Sequence, residues 1–152
     1  MSRRDERDAR PLAVVEDSPE DFITLERLLR RAGCERALVH FESGEKALAH
    51  LRPLGDAGAR DALPCLVLLD LNLPGCGGLQ VATELKCDPM LRHIPVVVLS
   101  TSAHDTDIES CYSAGVNAYV QKPIDLERYQ ESVRTLLAHW LGVVRLASGR
   151  AG

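Results

Sequence analysis

The sequence is poor in the features that mark membrane, secreted and nucleic-acid-binding proteins. No apolar run approaches the roughly 20 residues of a membrane span, and the N-terminus lacks the apolar core of a signal peptide. The five cysteines form no CxxC pair, which favours reduced thiols over a disulfide framework or a zinc site. Basic residues number 18 against 22 acidic ones, whereas nucleic-acid binders usually show a basic excess. We therefore expect a cytoplasmic protein that binds neither a membrane nor nucleic acid.

The chain is nevertheless long enough and apolar enough for one globular domain. Its 152 residues are 45% hydrophobic and 26% charged, and a chain of this size builds a core without metal or disulfide support. Residues 1–10 mix arginines with acids and predict a solvated, disordered tail. We predict a domain over residues 11–141 and a C-terminal extension over residues 142–152. The extension is too short for a DNA-binding output module, so we expect output through protein contacts.

Apolar strands and amphipathic helices alternate along the domain. Five strands are predicted, at residues 11–17, 36–41, 65–70, 94–100 and 118–121. Five helices are predicted, at residues 18–33, 44–52, 78–86, 107–115 and from 126 to beyond 140. The stretch at residues 53–64 is rich in Gly, Pro, Ala and Asp and is predicted to be a surface insertion. The alternation predicts an α/β fold, with a doubly wound five-stranded parallel sheet flanked by five helices.

Polar residues stand at the carboxyl ends of four predicted strands, and in a parallel sheet these ends share one edge, where ligands bind. They are Glu16, Asp17, Asp70, Ser100, Thr101 and Lys122. Three carboxylates in one crevice repel unless a cation neutralises them, and such oxygen ligands suit Mg²⁺. With the charge of Lys122 and the hydroxyl of Ser100, they describe a site that receives a phosphoryl group on Asp70. Taken alone, Asp70 is equally explained as an acid that solvates a strand end or caps a helix.

Four motifs together resemble the receiver domain of two-component response regulators, a flavodoxin-like fold. They are VVEDS, LLDLNLPGCGGL, IPVVVLSTS and AYVQKP, and the resemblance covers residues 11–141. It implies that Asp70 is the phospho-acceptor and that Mg²⁺ is held by the carboxylates of Asp17 and Asp70. Glu16, where the family more often has Asp, would assist the metal, directly or through water, and Asn72 would contribute its backbone carbonyl.

The same resemblance implies a switch around the phosphoryl group. Lys122 would bind the phosphoryl oxygens, Ser100 would be the switch hydroxyl with Thr101 beside it, and Tyr119 would be the switch aromatic. Ser100 and Thr101 could instead form a simple polar loop, and Tyr119 could be a fixed core aromatic. The Lys122–Pro123 dipeptide, on a turn at a strand end, is a candidate for a cis peptide bond.

The amino-acid sequence of the later loops and helices is similar to that of single-domain regulators that partner bacterial phytochromes. The stretch DPMLRHIPVVVLSTSAHDTDIESCY and the C-terminal AHWL carry this narrower resemblance. It implies a phosphohistidine on a sensor histidine kinase, a bacteriophytochrome, as phosphoryl donor. The chain would be a signalling protein rather than an enzyme, with at most self-phosphorylation and self-dephosphorylation. Phosphorylation would change the face formed by helix 4, strand 5 and helix 5.

Two other functions are compatible with an acid at this position. A phosphatase of the haloacid dehalogenase kind also phosphorylates an Asp at a strand end, but it needs a second acid where Asn72 stands, and an amide cannot donate the proton. A receiver-like binding module that is never phosphorylated is the other alternative, and the intact Asp17, Asp70 and Lys122 argue against it.

The C-terminal region predicts a homodimer. The last helix carries more apolar residues than one stripe against the core requires, and the excess from Trp140 to Leu146 has no obvious intramolecular partner. Exposed apolar patches of this kind are often buried at a two-fold interface. The alternative is a tail that folds back over the sheet edge.

Overall fold

A computed structural model describes residues 8–147 of the chain. Five parallel strands form one sheet with the spatial order β2-β1-β3-β4-β5. The strands are β1 Leu12–Val15, β2 Leu38–Phe41, β3 Leu66–Asp70, β4 Val96–Ser100 and β5 Ala118–Gln121. The three central strands are almost entirely apolar because helices cover both of their faces. The predicted fold class is confirmed.

Five α-helices join the strands and sort into two layers. They are α1 Pro19–Arg31, α2 Gly44–Asp56, α3 Gly78–Cys87, α4 Asp105–Ser113 and α5 Leu126–Leu137. Helices α1 and α5 cover one face of the sheet, and α2, α3 and α4 contribute to the core on the other. Helices α1 and α5 each begin at a capping side chain: Ser18 accepts from Asp21 N–H, and Asp125 accepts from Glu127 N–H.

Helix α2 extends further than the sequence predicts. It runs through Pro53 to Asp56, so the first part of the predicted surface insertion is helical. Proline disfavours a helix interior, but here the last turn packs on the core: Gly55 is buried and Leu54 lies against buried residues. Leu63, at the other end of the segment, is also buried. This packing outweighs the local preference, and the prediction of a purely superficial loop is wrong.

The C-terminal segment folds back on its own domain. After α5, a π-helical turn covers Ala138–Val143, and Trp140, Leu141 and Leu146 pack against the core beneath α1 and α5. The prediction that this excess lacks an intramolecular partner is therefore wrong, although Val143 stays 72% exposed. Residues 148–152 of the predicted extension lie outside the described residues.

The described part of the predicted N-terminal tail is held by contacts on this side of the domain. Arg10 forms an ion pair with Asp8 at 2.8 Å, and it donates to the carbonyl of Ala147 at 3.0 Å. Arg36 donates to the Arg10 carbonyl at 2.8 Å. Residues 1–7 lie outside the described part. Within residues 8–147, no helix combines the length and the apolar character needed to cross a bilayer.

Candidate functional site

The carboxyl ends of β1 and β3 bring three acids together. One carboxylate oxygen from each of Glu16, Asp17 and Asp70 lies within 4.8 Å of the other two. Glu16 is buried, Asp70 is half-buried and Asp17 is exposed, so the cluster opens to solvent on one side. Strands β1 and β3 are neighbours paired from Leu12↔Leu66 to Val15↔Leu69. This register explains why acids separated by more than fifty positions in the sequence meet at one edge.

The electrostatic environment of Glu16 is unfavourable for a charge. Burial, followed by the hydrogen bond and the negative charge of Asp70, raises the pKa of Glu16 to about 8. Lys122 and the backbone N–H of Ser18, which donates to Glu16 Oε1 at 3.2 Å, act in the opposite direction. The cluster therefore favours a further positive charge, either a proton or a metal ion.

Lys122 supplies the fixed positive charge of the site. Its ammonium lies 3.7 Å from Glu16 Oε2, and its side chain is only 16% exposed. It follows β5, and its backbone N–H donates to the Ser100 carbonyl at 2.7 Å, which ties it to the end of β4. The structure thus brings Lys122 to the acids, as the sequence predicts.

Strand β3 ends in a tight junction with α3. Asp70 Oδ1 accepts the backbone N–H of Asn72 at 3.1 Å, an Asx-type turn that orients the carboxylate. Gly78, the first residue of α3, lies so close to the strand end that a Cβ there would be 2.3 Å from the Asp70 carbonyl oxygen. Only glycine permits this contact. Asn72 therefore adjoins the acids through its backbone N–H, and its predicted carbonyl contribution to a metal stays a prediction.

A hydrogen-bonded loop connects Ser100 to Tyr119. Ser100 is fully buried, and its Oγ accepts the N–H of Ser102 at 3.1 Å. Tyr119 donates its hydroxyl to the Ser102 carbonyl at 2.8 Å, and Ser102 Oγ donates to Asp107 of α4 at 2.6 Å. This link from β4 to β5 and α4 through Ser102 was not predicted from the sequence. Thr101 is exposed, and no contact among those of the described residues joins it to the acids.

The peptide bond before Pro123 is trans, because no cis bond occurs among residues 8–147. The prediction of a cis bond is therefore wrong in this structure. The trans form is the ordinary preference of an X–Pro bond, and the residue before proline favours an extended conformation. Lys122 reaches the acids with this trans bond in place.

The raised pKa of Glu16 predicts a pH-dependent response to metal. Between about pH 4.5 and about pH 8, Glu16 of the metal-free chain is protonated in the folded state and ionised in the unfolded state. Stability should therefore fall as the pH rises through this window. A divalent cation bound at the acids would compete with that proton, so Mg²⁺ should raise the melting temperature more near pH 8 than near pH 6. Glu16→Gln should flatten this dependence, and a Mg²⁺ effect independent of pH in the unaltered chain would contradict the prediction.

A parallel sheet in this strand order, with an acid cluster, a lysine and a buried serine at its carboxyl edge, is the arrangement of a receiver domain. The chain belongs to the response regulator receiver domain family, whose sequence profile matches residues 12–134. It is 38% identical over 131 residues to the probable methanogenesis regulatory protein FilR2 of Methanothrix harundinacea, spanning 86% of this chain and 83% of that one. It is 35% identical over 135 residues to the response regulator Rcp1 of Synechocystis sp., spanning 89% and 91%.

Solved structures agree with these relatives. The Mn²⁺-bound form of Rcp1 superposes with a TM-score of 0.80 at 34% identity, covering 91% of this chain and 99% of Rcp1. The phosphorylated cyanobacterial phytochrome response regulator RcpA superposes with a TM-score of 0.81 at 36% identity, covering 90% and 97%. The chain is thus a receiver-domain response regulator similar to phytochrome response regulators.

The acid cluster fits the divalent cation that receiver domains bind. Three carboxylate oxygens within 4.8 Å of one another, open to solvent on one side, match a hard cation that keeps several of its waters. Glu16, Asp17 and Asp70 are the residues that would hold it.

Proposed function

We propose that the chain accepts a phosphoryl group on Asp70 in the presence of Mg²⁺. The observation that carries the proposal is the convergence of Asp17, Asp70 and Glu16 within 4.8 Å, with the ammonium of Lys122 beside them. An Asp70 oxygen attacks the phosphorus, the P–N bond to the donor histidine breaks, and the imidazole leaves with the electron pair. The products are an aspartyl phosphate and a free histidine. When bound, Mg²⁺ neutralises charge on the transferring group.

Lys122 stabilises the negative charge that the reaction adds to the site. Before phosphorylation, its ammonium lies 3.7 Å from a Glu16 oxygen. A phosphoryl oxygen on Asp70 offers it a stronger, charge-assisted hydrogen bond. Lys122 therefore changes partner from Glu16 to the phosphoryl group.

The phosphoryl donor we propose is a sensor histidine kinase of the bacteriophytochrome kind. RcpA is a phytochrome response regulator, and it resembles this chain over nearly its whole length. FilR2, another relative, is a probable methanogenesis regulatory protein instead. A phosphotransfer assay with several sensor kinases therefore tests the choice of donor, and faster transfer from a kinase of another kind would contradict it. The assay compares the rates at which purified phosphorylated kinases pass their label to this chain.

Acetyl phosphate tests the proposal without any kinase. Incubation of the full chain with acetyl phosphate and Mg²⁺ should add the mass of one phosphoryl group, and EDTA should prevent it. A phosphatase would instead release phosphate with many turnovers and no lasting mass gain, while a binding module would give neither result. Either of these results would refute the proposal.

Phosphorylation should rearrange the loop that joins Ser100 to Tyr119. Ser100 Oγ accepts from Ser102 N–H and keeps its own hydrogen for a phosphoryl oxygen. Recruiting Ser100 would shift Ser102, whose carbonyl holds the Tyr119 hydroxyl, and would let Tyr119 turn inward. NMR shifts on adding beryllofluoride should therefore concentrate in α4, β5 and α5. Asp70→Asn is the control, and an unchanged α4–β5–α5 face in the unaltered chain would contradict the switch.

We also propose a homodimer through the C-terminal face. It is supported by Val143, which is 72% exposed, and by the adjacent, partly buried Trp140 and Leu141. A truncation would remove side chains that pack on the core, so a point substitution is the better test. Light scattering should give a dimer for the unaltered chain at micromolar concentration and a monomer for Val143→Lys. A monomeric unaltered chain would exclude the dimer.

A further inference from the structure

A histidine on the edge strand contacts the backbone of the acid pair. His40 lies in β2 beside Val14 of β1, and its Nε2 is 2.7 Å from the carbonyl oxygen of Glu16. That carbonyl belongs to the peptide bond that joins Glu16 to Asp17. Sequence reasoning missed this contact, because His40 stands in an ordinary strand pattern and shares no ligand spacing with another histidine.

The contact fixes the chemistry of the imidazole. A carbonyl oxygen only accepts hydrogen bonds, so Nε2 of His40 must carry the hydrogen. The ring is also held face to face with Phe22 of α1, with centroids 3.8 Å apart and planes 4° from parallel. Phe22 packs against the core beneath α1 and α5. His40 is therefore a rigid donor rather than a mobile surface side chain.

His40 donates its hydrogen bond just beyond the end of β1, where the regular strand pairing stops. β1 ends at Val15, and Glu16 makes one further backbone bond, from its N–H to the Phe41 carbonyl at 3.0 Å. The Glu16 carbonyl lies past that point and takes its partner from the His40 side chain. Both backbone groups of Glu16 are thus tied to β2. The orientation of this peptide determines where the Glu16 and Asp17 carboxylates lie relative to Asp70.

We propose that His40 is a positioning residue for the metal site. Its Nε2–H holds the Glu16–Asp17 peptide in the orientation that brings both carboxylates to Asp70. The inference rests on the proposed function, since it assumes that this cluster binds a divalent cation. Outer partners that orient metal ligands commonly affect metal affinity although they never touch the metal.

Mn²⁺ binding to the full-length chain tests the inference, with free Mn²⁺ counted by electron paramagnetic resonance. His40→Leu keeps apolar contact with Phe22 and removes the donor, and it should weaken Mn²⁺ binding about tenfold. His40→Gln places an amide N–H near the position of Nε2 and should restore the affinity to within about twofold. A purely structural role would not give this pattern of loss and rescue.

His50→Leu is the matched control. His50 also lies against a phenylalanine, Phe41 at 5.2 Å, but it is exposed on α2 and contacts none of the acids in the described part of the chain. The His50→Leu substitution should leave the Mn²⁺ affinity unchanged. Wild-type affinity in His40→Leu, or equal weakening in His40→Gln and His40→Leu, would overturn the inference while leaving the proposed function intact. Failure of the unaltered chain to bind Mn²⁺ would defeat both.

A second measurement does not depend on whether a variant folds. Two-dimensional ¹⁵N spectra of the unaltered chain, with the His40 signals identified by their through-space contacts to the stacked Phe22 ring, report which ring nitrogen carries the hydrogen. The neutral ring of His40 should be the Nε2–H form. A neutral ring protonated on Nδ1 would show that the donor to Glu16 is absent and would overturn the inference.

Discussion

Replacing Asp70 by asparagine is expected to abolish phosphorylation of this chain by acetyl phosphate. The substitution keeps the size of the side chain and an oxygen able to accept the Asn72 N–H, so the turn after β3 should persist. It removes the anionic oxygen that attacks phosphorus, and no neighbouring group on the strand replaces that nucleophile. Intact-mass spectrometry with Mg²⁺ present should detect one added phosphoryl group in the unaltered chain and none in the variant.

The matched control for this substitution is Asp56→Asn. Asp56 is an exposed acid at the last position of α2 and is not a member of the acid cluster. The Asp56→Asn variant should be phosphorylated on Asp70 like the unaltered chain. Full labelling of Asp70→Asn, with the group mapped to another residue, would show that the acceptor has been assigned to the wrong acid.

Replacing Asp17 by asparagine should remove the dependence of phosphorylation on Mg²⁺. Asp17 is the exposed member of the cluster, so a cation arriving from solvent would meet it first. Loss of its charge leaves only two carboxylates to hold the metal, and the labelling rate at saturating acetyl phosphate should fall about a hundredfold. Titrating Mg²⁺ from zero separates a weakened site from a lost one.

Glu20→Gln is the control for loss of charge alone. Glu20 lies in the first turn of α1, three positions from Asp17, but outside the acid cluster. Phosphorylation of the Glu20→Gln variant should respond to Mg²⁺ as in the unaltered chain. If Asp17→Asn retained the original rate and the original Mg²⁺ dependence, the cluster would not be the metal site.

The order of the elements could be predicted because local signals and burial agree along most of the chain. Each central strand is an unbroken apolar run, and α1 combines a capping serine, a proline in its first turn and a single apolar face. The end of α2 could not be predicted in this way. Pro53 and Gly55 favour a break locally, while the packing of Leu54 and Gly55 that maintains the helix depends on distant residues.

The site was predictable to the extent that strand ends define it. Asp17, Asp70 and Lys122 each end or follow a recognisable strand, and parallel pairing brings such ends to one edge. His40 and Ser102 lie outside this rule. The His40 side chain donates to the Glu16 carbonyl from the neighbouring strand, and the Ser102 carbonyl accepts the Tyr119 hydroxyl from β5. Such contacts depend on side-chain orientation in the folded chain, which residue spacing does not encode. The position of the C-terminal segment is not predictable for a similar reason, because its partner surface forms only when α1 and α5 pack together.

Chemical trapping of the phosphorylated residue in the unaltered chain tests the central claim most directly. Borohydride reduces an aspartyl phosphate to homoserine, and peptide sequencing by mass spectrometry then locates the reduced position. We predict homoserine at position 70 alone, formed after acetyl phosphate with Mg²⁺ and absent when EDTA is present. Homoserine at another aspartate, or at position 70 to the same extent without a divalent cation, would contradict the assignment of Asp70 as the metal-dependent acceptor.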